Sequence, residues 1–409
     1  MKLLQLGNHF VSDFIKPNEA TTAKKYSLDL YLDQELGAAR LSHDNLAPPD
    51  TMWGQYWYRS GINASMTKEL HSIANEILNR VKLNDGDIWL DIACNDGTMF
   101  DAIPNNIVKV GIDPADDSYL AESSKKATVV QDYFSYESWL KTGYGAEKAK
   151  VITCIAMFYD LDNPHQFIDD LYKVLDDNGV LVLQMSYTPL MLQQLAFDNI
   201  CHEHVYYYDL VSIQELFSRH GFRVVDCSLN DTNGGSFRVY LQKDIADVNS
   251  FGSAPLRDVC NMRVAGIKQY ENNVCNIRDP QTWTDFGQRL QKLKDDVVSF
   301  VDNALAEGKT VYGYGASTKG NTLLQYFNLD HTKITAIAER SPYKFGLQTV
   351  GTNIPIISED EMRKQNPDYL LVLPWHFINE FERREQDYIN SGGALIVPCP
   401  NFRIVKGAR

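Results

Sequence analysis

The sequence predicts an α/β protein made of two open, doubly wound sheets in succession, both Rossmann-like, the second smaller than the first. Three observations carry that prediction. Short apolar runs at 88–92, 108–113, 129–134, 150–158 and 180–185 alternate with helical stretches, and such alternation builds a parallel sheet covered on both faces. The alternation begins again with strand-like runs at 311–314, 334–339, 368–373 and 394–397. Between the two, 246–308 reads as helical, interrupted near Asp279 and Pro280, with Leu290, Leu293, Val297, Val298, Val301 and Leu305 at helical spacing. The expected division is 1–62 as an N-terminal segment, 63–245 as the first α/β domain, 246–310 as a helical connection and 311–409 as the second α/β domain.

Length and charge bound the function. The chain has 409 residues, 44% of them hydrophobic and 22% charged, with a net charge of −14. That balance argues against a nucleic-acid surface, which needs clustered Lys and Arg. No apolar run reaches membrane-spanning length, and the first residues have too short an apolar core for a signal peptide. The seven cysteines are scattered without a Cys-x-x-Cys pair, which fits free thiols in a reducing cytoplasm.

Residues 1–60 are irregular in pattern. Pro48 and Pro49 break any helix, and Trp53, Tyr56, Trp57 and Tyr58 form an aromatic cluster. Such a cluster is core, an interdomain contact, or a lid with Tyr56 or Tyr58 reaching a ligand. A helix starts at Asn63 or Ser65, with Ile73, Ala74, Ile77, Leu78 and Val81 on one face. The run at 88–92 enters a small polar loop, Asn95-Asp96-Gly97, and a helix opens near 98–102. The next strand ends in Asp113, and the third run holds Asp132. A tight turn followed by an acid at the next strand end is the logic of a nucleoside site. The Gly-x-Gly-x-x-Gly fingerprint of dinucleotides is absent. A cationic sulfonium with no pyrophosphate, as in S-adenosylmethionine, fits better, with Asp91 near its charge, Asp113 for the ribose and Asp132 for the adenine. The donor set is therefore Asp91, Ala93, Asn95, Asp96, Gly97, Asp113, Asp132, Tyr133 and Phe134. Farther on, an amphipathic helix from 164 is expected to end at a C-cap formed by Asp177, Asn178 and Gly179. Helices follow near 190–196 and 212–220, then strands at 222–227 and 236–242 joined by a turn at 233–236.

Two stretches carry chemistry. Residues 198–208 place His202, Glu203 and His204 together, followed by Tyr206. Histidine is the default general base near neutral pH. Two other readings remain for it: an aromatic-rich polar turn, or a pair of metal ligands on one side of a strand. The second stretch, 311–322, nearly spells a P-loop, but Asn321 stands where the lysine belongs and Lys319 comes early. It is either a phosphate cradle at a helix N-terminus, with Ser317 and Lys319, or a tight turn bearing a solvated lysine.

Several ordered matches carry a resemblance: Asp198 with 200–204, Gly234 to Arg238, Tyr314-Gly315-Ala316, Lys319 to Thr322, 351–356 and Leu373-Pro374-Trp375. From residue 4 to 401 the chain resembles the sugar C-methyltransferase family. The resemblance implies a class I methyltransferase domain followed by the smaller Rossmann-like domain. It implies S-adenosylmethionine as donor, S-adenosylhomocysteine as product, and a nucleotide-linked deoxysugar as small-molecule acceptor. It makes His204 the base, with Glu203 as its orienter, His202 nearby and Tyr58 and Tyr206 as hydroxyl contacts. The acceptor would meet Tyr56, Asn233, Gly234, Arg238, Tyr314, Ser317, Lys319, Asn321 and Arg340. The chain departs from the family at Asp33 and Leu36, which stand where zinc-binding cysteines are usual, so no zinc is expected. Cys201 replaces a tyrosine and Asn233 a histidine. A ligand-binding protein that has lost its chemistry, or methylation of oxygen or nitrogen, are the competing expectations, with a hydrolase using His202 and His204 on a metal further off. The expected state is a cytoplasmic monomer or weak dimer without nucleic-acid or membrane partners.

Overall fold

A computed structural model describes residues 1–17, 24–48, 52 and 59–407. Its larger sheet has seven strands, in the spatial order Phe222–Asn230, Ser236–Lys243, Leu175–Ser186, Ala149–Ile155, Ile88–Ile92, Val108–Ile112 and Thr128–Val130. Numbered along the chain, that order is 6-7-5-4-1-2-3, with the seventh strand antiparallel to its neighbours. This is the class I methyltransferase topology. The order reverses between Ile88–Ile92 and Ala149–Ile155, and open α/β sheets bind ligands at the carboxyl ends of strands beside such a switch point.

Local chemistry explains the elements. Asn63 caps the helix Ala64–Arg80 by accepting from the Ser65 amide. Met66, Leu70, Ile73, Ala74 and Ile77 form its buried face. The helix Pro164–Val174 starts with a capping Asn163 and proline in its first turn. Its end differs from the expectation. Leu175 already has extended backbone, φ −70° and ψ 136°, and the chain runs directly into the strand. Gly179 is therefore not a helix cap. A Cβ there would lie 2.9 Å from the Lys150 carbonyl oxygen, so glycine serves a close approach between strands.

The smaller sheet is ordered Ile356–Ser358, Ile337–Glu339, Val311–Tyr314, Tyr369–Val372, Ala394–Val397 and Arg403–Lys406, the last strand antiparallel. The helix Pro280–Ala306 leads into it and buries Trp283, Phe286, Leu290, Leu293, Val297 and Val301. These side chains share one core with Leu4, Leu30 and Leu41 from the first residues and with the strands of the smaller sheet.

The beginning of the chain is not irregular. Lys2–Leu4, Leu30–Asp33 and Ala38–Leu41 form an antiparallel sheet whose fourth strand is Tyr206–Tyr207. Tyr206 pairs with Arg40 and Tyr207 with Ala39. Asp33 closes the turn in this sheet. Its Oδ1 accepts from the Glu35 and Leu36 amides at 2.9 and 3.2 Å, and its Oδ2 accepts from the Tyr206 hydroxyl at 3.1 Å. Leu36 is buried, and Gly37 has φ +62°, a left-handed conformation glycine adopts without strain. A second link runs to the far end of the chain, where Phe14–Ile15 pairs with Gln348–Thr349.

Candidate active site

At the switch point the loop after Ile88–Ile92 is coiled tightly. Ala93, Asn95 and Gly97 all have positive φ, 59°, 52° and 70°. Left-handed backbone at non-glycine residues is uncommon and concentrates at functional sites. The coil is fastened from beside it. Asp113 accepts from the Asn95 and Ala115 amides, both at 2.7 Å. Asp96 accepts from the Gly61 amide at 2.8 Å and Asn95 Oδ1 from the Ser60 amide at 3.1 Å. Asp91 lies beneath, taking a hydrogen bond from the Thr153 hydroxyl at 2.6 Å, and burial pushes its carboxyl up to about 7. Asp91, Ala93, Asn95, Asp96, Gly97 and Asp113 are thus one constellation. Asp132 sits past the third strand, and its ion pair with Lys141 at 2.6 Å holds its carboxyl below the usual range. Tyr133 is half exposed, while Phe134 packs edge-on against Phe167. Asp113→Ala should weaken donor binding about tenfold or more, since it removes a charged hydrogen-bonding group and frees the loop amides it holds. Calorimetric titration with S-adenosylhomocysteine checks this, and an unchanged Kd refutes it.

The stretch around His204 is anchored on three sides. A turn at Phe197–Asn199 precedes it, the Val205 amide donates to the Tyr159 carbonyl at 2.9 Å, and Tyr206–Tyr207 joins the N-terminal sheet. His204 Nδ1 lies 2.8 Å from the Asn199 carbonyl oxygen. A carbonyl only accepts, so Nδ1 carries the hydrogen and Nε2 keeps its lone pair. The Tyr159 ring lies 4.0 Å from the imidazole. Burial, with the Lys319 ammonium, pushes His204 down to about 3. His202 turns to a different wall, with Nε2 3.1 Å from the Tyr26 carbonyl, and burial pushes it down to about 4. The two imidazoles therefore do not form a shared chelate. Among the described residues there is no group of three or more His, Cys, Asp or Glu placed to hold a metal.

Several expected roles change. Asn199, not Glu203, orients the His204 ring. Glu203 is part-buried, and its Oε2 is sealed from solvent with no hydrogen-bond partner among the described residues. Tyr206 is committed to the N-terminal sheet, accepting from Arg40 at 2.7 Å and donating to Asp33. Tyr56 and Tyr58 lie outside the described residues.

Lys319 is the largest surprise. Ser317 caps the helix Thr318–Phe327, its hydroxyl accepting from the Gly320 amide at 3.0 Å. Lys319 in the first turn points inward rather than to solvent. Its ammonium donates to Asn199 Oδ1, which also accepts from the Ser186 hydroxyl at 3.2 Å. Burial lowers its pKa, opposed by Asp198, Cys201 and Glu203. Asp198 accepts from the Trp375 indole at 3.1 Å, and burial pushes it up to about 6. His376 is part-buried on the same side and is pushed down to about 3 by loss of solvent around its ring and by Lys319.

The other expected acceptor contacts divide. Gly234, at φ +87°, lies against Trp375, where a Cβ would come within 3.3 Å of the indole. Asn233 beside it is also left-handed, at φ 53°. These two border the His204 region through Trp375. Arg340 is half exposed and reaches the Ile62 carbonyl at 3.4 Å, across to the first α/β unit. Three others are held elsewhere. Arg238 is buried among Glu69, Glu76 and Gln184. The Tyr314 hydroxyl donates to Glu385 at 2.6 Å and accepts from Arg384. Asn321 donates to the Ser12 hydroxyl at 2.8 Å. Residues not singled out from sequence complete the site with Asp198: Tyr159, Asp160, Asn199 and His376. A signal for Tyr159 and Asp160 existed, because they follow the fourth strand at the carboxyl edge of the sheet.

Known proteins match this arrangement in two parts. Residues 62–226 match the family described as a methyltransferase domain. Residues 231–400 match the family described as the C-methyltransferase C-terminal domain. The chain is 27% identical over 381 residues to C-methyltransferase NovU of Streptomyces niveus, covering 93% of this chain and 88% of that one. Among solved structures, N-methyltransferase NodS from Bradyrhizobium japonicum WM9 aligns over 44% of this chain and 98% of its own, at 14% identity and a TM-score of 0.33. Magnesium protoporphyrin IX methyltransferase from Synechocystis PCC 6803, with bound SAH, aligns over 47% and 90%, at 13% identity and a TM-score of 0.33. Likeness at that level adds nothing to the strand order already described.

Proposed function

We propose, from the premise that this chain is an S-adenosylmethionine-dependent methyltransferase with a C-methyltransferase C-terminal domain, that it methylates a carbon beside a ketone on a nucleotide-linked sugar in the cytoplasm. The observation that supports this best is the Nδ1 bond of His204 to the Asn199 carbonyl at 2.8 Å, which leaves Nε2 as a base. The donor fits Asp91, Ala93, Asn95, Asp96, Gly97 and Asp113, because their tightly turned loop ends between two buried acids. Bound there, S-adenosylmethionine supplies an electrophilic methyl group on its sulfonium.

The chain's own residues supply the rest. His204 Nε2 takes the proton from the carbon beside the ketone, and the enolate carbon attacks the methyl. A resting value of about 3 makes His204 a weak base. The enolate changes that balance, since a negative charge developing beside Lys319 offsets the ammonium field that holds the imidazole neutral. Alignment of the reacting atoms between the two α/β units provides much of the acceleration.

Incubation with donor and a panel of ketone-bearing nucleotide sugars in deuterated water tests the reading. The expected result is S-adenosylhomocysteine, a product one methyl heavier at carbon, and deuterium exchange at that carbon that requires His204. A methyl group on oxygen or nitrogen refutes the carbon assignment. Binding of a sugar nucleotide without any S-adenosylhomocysteine refutes the enzymatic reading in favour of a ligand-binding protein. Metal analysis of the purified protein should return far less than one zinc per chain, because Asp33 and Leu36 close their turn with hydrogen bonds and packing. Stoichiometric zinc refutes this.

A further inference from the structure

Two carboxyls near His204, each with one oxygen sealed from solvent, have no role in the steps above. Asp160 belongs to the short turn Phe158–Asp160 after the fourth strand, and Glu203 sits between the two histidines. The segments are stitched together by the Val205 amide on the Tyr159 carbonyl and by the Tyr159 ring against His204. Asp160 Oδ1 and Glu203 Oε2 are both sealed from solvent and without a hydrogen-bond partner among the described residues. A sealed, unpaired carboxylate oxygen is costly, and two such groups whose charges repel each other do not both ionise. We propose that Asp160 and Glu203 share one proton and present its O–H as a hydrogen-bond donor to the ketone oxygen of the acceptor. The donation rests on the ketone chemistry proposed above; the shared proton does not.

The surroundings favour one proton. Burial raises the Asp160 carboxyl well above its usual range and Glu203 raises it further, while burial raises Glu203 itself. The groups facing the pair are the Cys201 thiol, the Tyr207 hydroxyl and the Lys319 ammonium. Cys201 and Tyr207 are also pushed up by burial, so both stay neutral. Among the described groups facing the pair Lys319 is the cation, opposed by Asp198 and by the single negative charge of the pair. A neutral carboxylic acid kept in an apolar site to donate to an enolate oxygen is a known catalytic device. The O–H donates a hydrogen bond only: the carbon-bound proton goes to His204, the methyl goes to carbon, and the shared proton stays with the pair.

Two measurements test this. Infrared difference spectra of the resting enzyme, wild type minus Asp160→Asn and wild type minus Glu203→Gln, should each contain the carbonyl stretch of a protonated carboxylic acid. If neither substitution removes such a band, the shared proton is refuted whatever the enzyme methylates. With a turning-over acceptor, Asp160→Ala should lower kcat on the order of 10²-fold, as loss of one oxyanion donor does. Asp160→Asn keeps an N–H donor and should lose less than about tenfold, with donor affinity unchanged in both. Equal losses in Asn and Ala refute the donation to substrate. Should both Asp160 variants fail to fold, the Glu203→Gln spectrum and its kcat decide the same question. If no ketone acceptor is methylated, the proposed function falls while the infrared result still stands.

Discussion

His204→Ala should lower turnover by about 10²–10⁴-fold, the usual cost of losing a general base, and should leave donor affinity unchanged. The geometry separates the two effects. His204 is fixed by Asn199 and Tyr159, while the loop proposed to hold the donor is fastened separately, by Asp113 and by the 60–61 backbone. His202→Ala loses less, because that ring bonds the Tyr26 carbonyl and supports the N-terminal sheet. The pH profile gives a second check. A histidine held at about 3 is neutral above that value. It becomes protonated, and inactive as a base, only as pH falls through it. Between pH 5 and 8 the rate should therefore show no rise attributable to His204. An ascending limb near 6.5 that vanishes in His204→Ala contradicts the assignment, as does near wild-type turnover in that variant.

Lys319→Met should cost about 1–3 kcal/mol of stability, the range for leaving a polar group without its hydrogen-bond partner. The lysine stands among Asp198, Glu203 and the Asn199 amide, and a methionine leaves those acids without a counter-charge. The sign with pH follows. Asp198 and Glu203 already lie above the ordinary carboxylate range through burial, and losing the ammonium raises them further. The penalty is largest at neutral and higher pH, and shrinks as pH falls and the carboxyls take up protons. Urea denaturation of both proteins at several pH values measures it; a difference below about 1 kcal/mol at neutral pH contradicts the buried placement. The substitution also raises His204 toward its ordinary value, since a neighbouring cation is gone, so any acid limb of the rate moves up. A phosphate-binding lysine, the expectation from the sequence, would change the acceptor's KM alone.

Much of this was legible in the sequence because parallel strands buried on both faces read as unbroken apolar runs. Residues 180–183 and Tyr369–Val372 are such runs, and the order of these runs along the chain implied both sheets. The N-terminal sheet was not legible. Its strands are three or four residues long, too short for a period-two signal, and its last strand comes from 206–207. Gly179 matched a helix cap in composition but answers a contact with Lys150 that no local pattern reveals. At the site, His204 stood out by residue type, whereas the direction of Lys319 did not. A lysine in a first helical turn reaches solvent or the interior depending on what packs over it, and here that is Asn199, 120 positions away in sequence.

The pairing of Tyr206–Tyr207 with Ala38–Leu41 bears on how such proteins can be recombined. The strand is only two residues from His204, so the N-terminal sheet shares a backbone register with that histidine. A chimera taking residues 1–48 from a relative but keeping this chain's 198–208 would mismatch Tyr206 against Arg40 and Asp33, and would shift His204 with it. The smallest transplantable piece is therefore discontinuous: the opening residues must travel with the histidine segment as one graft, although about 150 residues separate them.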